Sequence, residues 1–151
     1  EDEHAYLGSG HVFFMLGQFD KAAEYFERTV QIDSKNLFGI VSLYLATKRG
    51  GGDGKATLKL QSSDINLSKW PGPLVSLYLD EVIPEQAIEQ WKVPDSLMEN
   101  DWNYFRYYYL GQFYLLKNDK EKAAKMFREA LNSKSKYLNS CSGAKLELER
   151  L

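Results

Sequence analysis

The sequence has little cysteine, no excess of basic charge and no long apolar segment. Its one cysteine, Cys141, cannot form an internal disulfide framework or a multi-cysteine metal site, and it leaves the redox compartment open. The 19 basic and 21 acidic residues give a net charge of −2, so nucleic acid is not an expected partner. There is no run of about 18 apolar residues, and we therefore expect no transmembrane segment. The opening residues Glu1, Asp2 and Glu3 do not resemble a signal peptide.

Aromatic residues, in contrast, are abundant: 10 tyrosines, 8 phenylalanines and 3 tryptophans among 151 residues. Rings of this kind suit either closely packed helix pairs or a protein-binding face. The length predicts one domain, 1–151, long enough to bury a continuous core.

An internal repeat is the strongest pattern in the sequence. The segment YFRYYYLGQFYLLKNDKEKAAKMFREAL, residues 104–131, reads as two antiparallel helices joined by a polar turn. A shift of 101 residues places four of its members, Tyr107, Gly111, Ala123 and Phe127, on Tyr6, Gly10, Ala22 and Phe26. A repeated helix-turn-helix segment predicts a stacked helical array.

The whole chain divides into four such units and a terminal helix. We place the units at about 3–36, 37–69, 70–96 and 97–137, with a cap at 138–151, and mark them by Ala22, Ala56, Ala87 and Ala123. In the first unit, Gly17 is expected to end one helix and Asp20 to cap the next. The predicted helices cover 4–16, 21–32, 37–48, 55–61, 73–79, 84–91, 97–117, 120–131 and 138–151.

The glycine-rich loop 49–54 raises the question of a phosphate cradle. No predicted strand precedes it, and Lys55 is not followed by the serine or threonine of a P-loop. A loop between two helices is the better interpretation.

The small residue, turn glycine and alanine-then-aromatic spacing of the first unit resemble a tetratricopeptide repeat, and the tetratricopeptide character is also clear in the fourth unit. With the intervening LSKWPGPLVSLYLDEVIPEQAI and the final GAKLELERL, the layout resembles the bacterial NlpI-type tetratricopeptide lipoproteins. That resemblance implies an envelope-located adaptor, often dimeric, that docks proteases and peptidoglycan-cutting enzymes. It implies the periplasm or outer membrane as location, with the cytoplasm as the alternative. No cysteine precedes the repeats, so a lipid anchor is not expected from this chain, and dimer contacts of preceding helices do not carry over.

Few residues are candidates for catalysis or metal binding. The only histidines, His4 and His11, are both in the first helix, far along the chain from Cys141, so a nucleophile–base pair is not expected. The two histidines share a helical face but lack a third ligand, so we expect no metal. Acid pairs such as Glu24 and Glu27 are interpreted as solvated helix faces, and no cofactor is expected.

The aromatic run from Tyr104 to Tyr109 cannot all be buried, because a packed helix buries only a stripe. Tyr107 occupies a repeat packing position and is predicted to be core. By tetratricopeptide precedent, the first helix of each unit lines a concave groove. The resemblance therefore implies a partner-binding surface formed by His11, Phe14, Phe38, Val41, Leu45, Phe105, Tyr108 and Gln112, with His4, Leu7 and Met15 at matching positions.

The sequence thus predicts an all-α tetratricopeptide-repeat solenoid. Its predicted function is that of a non-enzymatic scaffold that holds protein or peptide partners in an apolar groove. The alternative is a groove filled by the C-terminal helix or a dimer mate, in which case the chain serves homodimerisation within a larger assembly. An enzyme would require a polar cluster that the sequence does not offer.

Overall fold

The computed structural model describes residues 2–138 and 142–151, and in that part of the chain the regular secondary structure is entirely helical. The all-α helical-repeat prediction is therefore confirmed. The nine helices found there are α1 (Glu3–Met15), α2 (Phe19–Ile32), α3 (Leu37–Arg49), α4 (Lys55–Ser62), α5 (Gly72–Tyr78), α6 (Pro84–Gln90), α7 (Glu99–Leu116), α8 (Lys120–Leu131) and α9 (Gly143–Arg150).

Contacts divide the chain into two compact units, Glu1–Glu81 and Val82–Leu151. In the first unit, α1 packs against α2, α2 against α3, and α3 against α4 and α5. In the second unit, α7 packs against α8, and α9 packs against both. The residues predicted as the third helix pair supply α5 to the first compact unit and α6 to the second.

The turns of the first and fourth pairs are alike in backbone and differ in capping. Gly17 has φ 77°, and its equivalent Asn118 has φ 58°, so each turn uses a residue that tolerates the left-handed region. Asp119 then caps α8 by accepting a hydrogen bond from the backbone N–H of Lys122 at 3.1 Å. The equivalent Gln18 makes no such bond. The prediction that Asp20 caps α2 is wrong, because α2 begins at Phe19 and places Asp20 in its first turn.

Capping gives a direct test of this difference. Asp119→Ala should lower the free energy of unfolding by about 1 kcal/mol, because it leaves a backbone donor of α8 without its partner. Gln18→Ala is the matched control and should change it by less than about 0.5 kcal/mol. Urea denaturation followed by circular dichroism measures both; equal losses for the two variants would contradict the capping assignment.

The second helix of each pair contributes the same two positions to the core. The fourth residue of these helices is buried in every case, as is the residue four further on. The fourth residues are Ala22, Leu58, Ala87 and Ala123, and the later ones are Phe26, Ser62, Trp91 and Phe127. The spacing of i and i+4 places each pair on one helical face.

The prediction that Ala56 is the packing alanine of the second unit is wrong, because Ala56 is exposed. The loop 50–54 is two residues longer than the loop 16–18, so α4 starts two residues later in the repeat than α2 does. Two residues rotate a helix by about 200°. Leu58 consequently takes the buried place and Ala56 points away from it.

Candidate functional site: an aromatic patch on α7

The aromatic side chains of α7 divide by depth. Tyr104 and Tyr109 are buried, whereas Phe105, Tyr107 and Tyr108 are half-buried. Tyr107, predicted as core, packs against the core cluster of the second unit without being enclosed by it. Burial, together with nearby Tyr104, raises the pKa of the Tyr109 phenol well above its ordinary value. The half-buried rings are the part of this run that packing leaves near the surface.

Tyr137, which follows α8, packs against two rings of α7. Its ring centroid lies 4.9 Å from that of Phe105 and 6.4 Å from that of Tyr104. Tyr108 stacks on Tyr104, with 6.1 Å between centroids. Tyr137 is 39% exposed. We call Phe105, Tyr108 and Tyr137 the aromatic patch; Tyr104 is the buried ring that contacts all three.

A buried carboxylate holds Tyr137 in this place. Asp101, in the first turn of α7, accepts hydrogen bonds from the Ser135 hydroxyl at 2.6 Å and the Lys136 backbone N–H at 3.2 Å. The Ser135 hydroxyl in turn accepts one from the Tyr137 N–H at 3.1 Å, and the Lys136 ammonium lies 3.7 Å from Asp101. The segment after α8 is therefore tied to the start of α7, and this fixes the ring of Tyr137 against Phe105.

The opposite end of the patch is supported by α9. The Tyr104 hydroxyl lies 2.8 Å from the Ser142 hydroxyl and accepts a hydrogen bond from the Ala144 N–H at 3.3 Å. Gln112, a predicted groove residue, is fully buried and donates from Nε2 to Glu147 of α9 at 2.5 Å. Glu147 is also paired with Arg150. In the second unit, the C-terminal helix thus covers the Gln112 end of the predicted groove and leaves Phe105 near the surface.

The predicted groove residues of the first unit lie at different depths. Phe14, Val41 and Leu45 are buried in the core of that unit, whereas Phe38 is 38% exposed. Phe14 packs edge-on against Phe19, with centroids 5.2 Å apart. His11 is half-buried, with its ring edge-on to Phe26 at 5.1 Å.

Burial lowers the pKa of His11 from the ordinary 6.5 to about 4. Because the unfolded chain takes up this proton first, the contribution of His11 to stability is fully present above about pH 6.5 and is lost as the pH falls towards 4. We expect this loss to reach at most about 3 kcal/mol. Urea unfolding of wild type and His11→Gln at pH 7 and pH 4 measures it: the pH-dependent loss should be smaller in the variant. His4→Gln, which changes an exposed histidine, is the control; a similar effect there would contradict the assignment.

The geometry of the described residues gives no support to a metal site or to a membrane-spanning helix. Across residues 2–138 and 142–151, no group of three histidine, cysteine or acidic side chains is placed to hold a metal ion. Cys141, considered above as a nucleophile, lies outside the described residues. No helix of the described chain has both the length and the apolar character needed to cross a membrane.

Comparison with known families agrees with the repeat geometry. The family model described as tetratricopeptide repeat matches residues 3–36 and 106–137. The two matched segments are therefore similar to tetratricopeptide repeats. The first of them is the α1–α2 pair, and the second covers most of α7 together with α8. No curated protein matches the chain.

Tetratricopeptide repeats are characteristic of protein-interaction scaffolds and are generally non-enzymatic, which supports protein partners for this chain. The family match is limited to these two segments. It matches neither the middle of the chain nor the segment after residue 137.

Proposed function

We propose that this chain is a non-enzymatic scaffold that binds a protein or peptide partner through the aromatic patch. The observation that supports the proposal best is that Tyr137 and Phe105 place two adjoining rings at the surface, where the packing of the core does not require them. The Lys136 ammonium, 5.4 Å from the Tyr137 ring, places a cation beside them. Aromatic rings bordered by polar groups are typical of the centres of protein interfaces.

The partner we propose is an extended peptide with apolar or proline side chains, because flat rings at a surface accept such groups along an extended backbone. The patch is also held firmly before binding. Asp101 fixes the segment that carries Tyr137, and Tyr104 is fixed by its hydroxyl contacts with the N-terminal end of α9. A rigid surface loses less conformational entropy on binding, which favours affinity.

The first compact unit offers a second, smaller contact surface in this proposal. Phe38 is exposed, and Leu7, His11 and Met15 are half-buried beside the core residues Phe14, Val41 and Leu45. We propose that the exposed part of this set, centred on Phe38, contacts the partner, while the buried members support it.

The most specific form of the proposal is an envelope adaptor that docks proteases or peptidoglycan hydrolases. It rests on the resemblance of the middle and end of the sequence to NlpI-type lipoproteins, and the family match gives it no further support. Homodimerisation is the alternative function. Sedimentation velocity tests it: a monomer at micromolar concentration would contradict homodimerisation.

A selected peptide tests the aromatic patch. Peptides would be selected by display against the immobilised chain, and their dissociation constants measured by fluorescence anisotropy. The double variant Phe105→Ala, Tyr137→Ala should bind the selected peptides at least about tenfold more weakly, because it removes two of the three surface rings. Tyr108 is kept because it also packs against Phe127 of the core.

The matched control removes two large exposed apolar side chains that lie outside the patch. Leu60 is 74% exposed and Met98 is 75% exposed, and the double variant Leu60→Ala, Met98→Ala should change affinity by less than about twofold. Circular dichroism confirms that both variants are folded. Equal affinity of the patch variant and wild type would overturn the proposal.

A further inference from the structure

An open cavity of about 330 Å³ is lined by residues of α1 and α2. Two tyrosine rings, Tyr6 and Tyr25, form one part of its wall, with 6.0 Å between their centroids. The rest of the lining consists of charged side chains of α2, namely Glu24, Glu27 and Arg28. We call this the tyrosine cavity. It lies within the first compact unit and shares no residue with the aromatic patch.

The two carboxylates of the cavity are available to a cation from outside. Glu24 and Glu27 are exposed, and neither forms an ion pair within residues 2–138 and 142–151. The cation of the lining, Arg28, donates instead from Nη1 to Gln31 Oε1 at 3.4 Å, three residues further along α2. The lining therefore sets two carboxylates against one guanidinium that is turned along its own helix.

The same group of rings already carries one lysine. Tyr25 contacts Phe13 as well as Tyr6, with 5.1 Å between the centroids of Tyr25 and Phe13. The ammonium of Lys21 lies 4.5 Å from the centroid of Phe13. In the described part of the chain, no cation lies over Tyr6 or Tyr25 in this way. Because the face of an aromatic ring attracts a cation, the cavity has the chemistry of a second cation site beside the one that Lys21 fills.

The fourth helix pair shows that this face of α2 is open by virtue of the fold. There, α6 and a further segment precede α7 within the same compact unit. The residues at the places of Glu24 and Glu27 are nevertheless exposed. They are Lys125 and Arg128, so the charge of the two places is reversed. The repeat leaves the face uncovered, and the acidic character belongs to the first pair alone of these two.

We propose that the tyrosine cavity binds a basic segment of a partner protein by taking up one of its lysine or arginine side chains. The charged group pairs with Glu24 and Glu27, and the aliphatic stem packs on the rings of Tyr6 and Tyr25. Exposed ion pairs contribute little one by one, so the rings are needed for affinity.

The spacing of acidic residues on α2 indicates how the basic residues of the partner are spaced. Asp20 is exposed and stands one turn before Glu24, on the same face of the helix. One turn separates the two by about 6 Å, which is close to the distance of about 7 Å between alternate residues of an extended chain. The segment that fits therefore carries basic residues at alternate positions.

A short basic peptide tests the proposal. The probe is a fluorescein-labelled Lys-Ser-Lys-Ser-Lys peptide, and its counterpart has glutamate in place of each lysine. Fluorescence anisotropy with the full chain is measured at about 0.15 M ionic strength, where charges more than about 8 Å apart are largely screened. The lysine probe should bind with a dissociation constant below about 1 mM, and the glutamate probe should not bind. Equal binding of the two probes, or no binding of the lysine probe, would overturn the proposal.

The charge reversal found in the fourth pair supplies the decisive variant. Glu24→Lys, Glu27→Arg should weaken the lysine probe at least about tenfold, because attraction becomes repulsion. The fourth pair carries the same residues at these places, so the fold is retained. Asp64→Lys, Glu81→Arg is the matched control. It changes the net charge equally at two exposed positions of the same compact unit that do not line the cavity, and affinity should stay within about twofold. Equal losses in the two variants would overturn the proposal.

The contribution of the rings is tested separately. Tyr25→Met places the residue of the fourth pair, Met126, at the equivalent position of the first pair. It removes one ring of the cavity and leaves the carboxylates in place, and it should weaken the lysine probe about threefold. Circular dichroism confirms that the variant is folded. Unchanged affinity would show that the rings take no part, and would overturn the tyrosine cavity as the site.

Discussion

Phe127→Ala should lower the free energy of unfolding of the second compact unit by about 3–5 kcal/mol. Phe127 is fully buried on the fourth helix pair, where it packs against Tyr108 and the backbone of Gly111. Truncating it removes a large apolar side chain and leaves a cavity that the two helices cannot close. Urea denaturation of wild type and variant, followed by circular dichroism, measures the loss.

Met98→Ala is the control for this change, because Met98 belongs to the same compact unit but is largely exposed. It should alter the free energy of unfolding by less than about 0.5 kcal/mol. A loss below about 1 kcal/mol for Phe127→Ala would contradict the assignment of Phe127 as the centre of the α7–α8 packing.

Gly111→Ala should be destabilising by about 1–3 kcal/mol, although alanine is the better helix former. A Cβ atom at Gly111 would overlap the ring of Phe127, and one at the equivalent Gly10 would lie only 2.5 Å from the ring of Phe26. The helices of the first and fourth pairs cross so closely at this position that only a hydrogen atom fits. Gly8→Ala is the matched control. A Cβ atom at Gly8 would have no heavy atom within 4 Å beyond its own helical backbone, so this change should raise the free energy of unfolding by up to about 1 kcal/mol.

The contact between Gly111 and Phe127 also predicts strong coupling. In the Phe127→Ala background the ring is gone, so Gly111→Ala should cost nothing further and should recover part of its helix propensity. The double-mutant cycle by urea denaturation measures this interaction. Additive losses would mean that the clash lies elsewhere, and would contradict the packing of the repeat.

Much of the fold could be predicted because the repeat marks are local and periodic. The spacing of Ala123 and Phe127 and the polar turn before them locate α8, which spans the predicted 120–131. The register of α4 could not be obtained in this way. It depends on how many residues the glycine loop adds, and a two-residue difference turns Ala56 outward and Leu58 inward.

The candidate site could be predicted only in part, for a different reason. The surplus of aromatic residues on α7 is visible in the sequence, and it points to Phe105 and Tyr108. Tyr137 escapes sequence reasoning because it lies in a polar segment and reaches the patch only through the bonds of Asp101 to residues more than thirty positions away. The only signal it gives is an aromatic residue among serines and lysines. Sequence reasoning assigns Gln112 to the groove by tetratricopeptide precedent. Its hydrogen bond to Glu147 is not visible in the sequence, because the two residues are 35 positions apart.

The central claim, that the chain binds its partner through the aromatic patch, is tested most directly by mapping a bound peptide by NMR. A display-selected peptide would be titrated into the chain labelled at its phenylalanine and tyrosine rings. We predict that the largest shift changes occur at Phe105, Tyr108 and Tyr137, while the rings of Phe26 and Phe13 in the first unit change little. If the largest changes fall outside those three rings, the claim is contradicted.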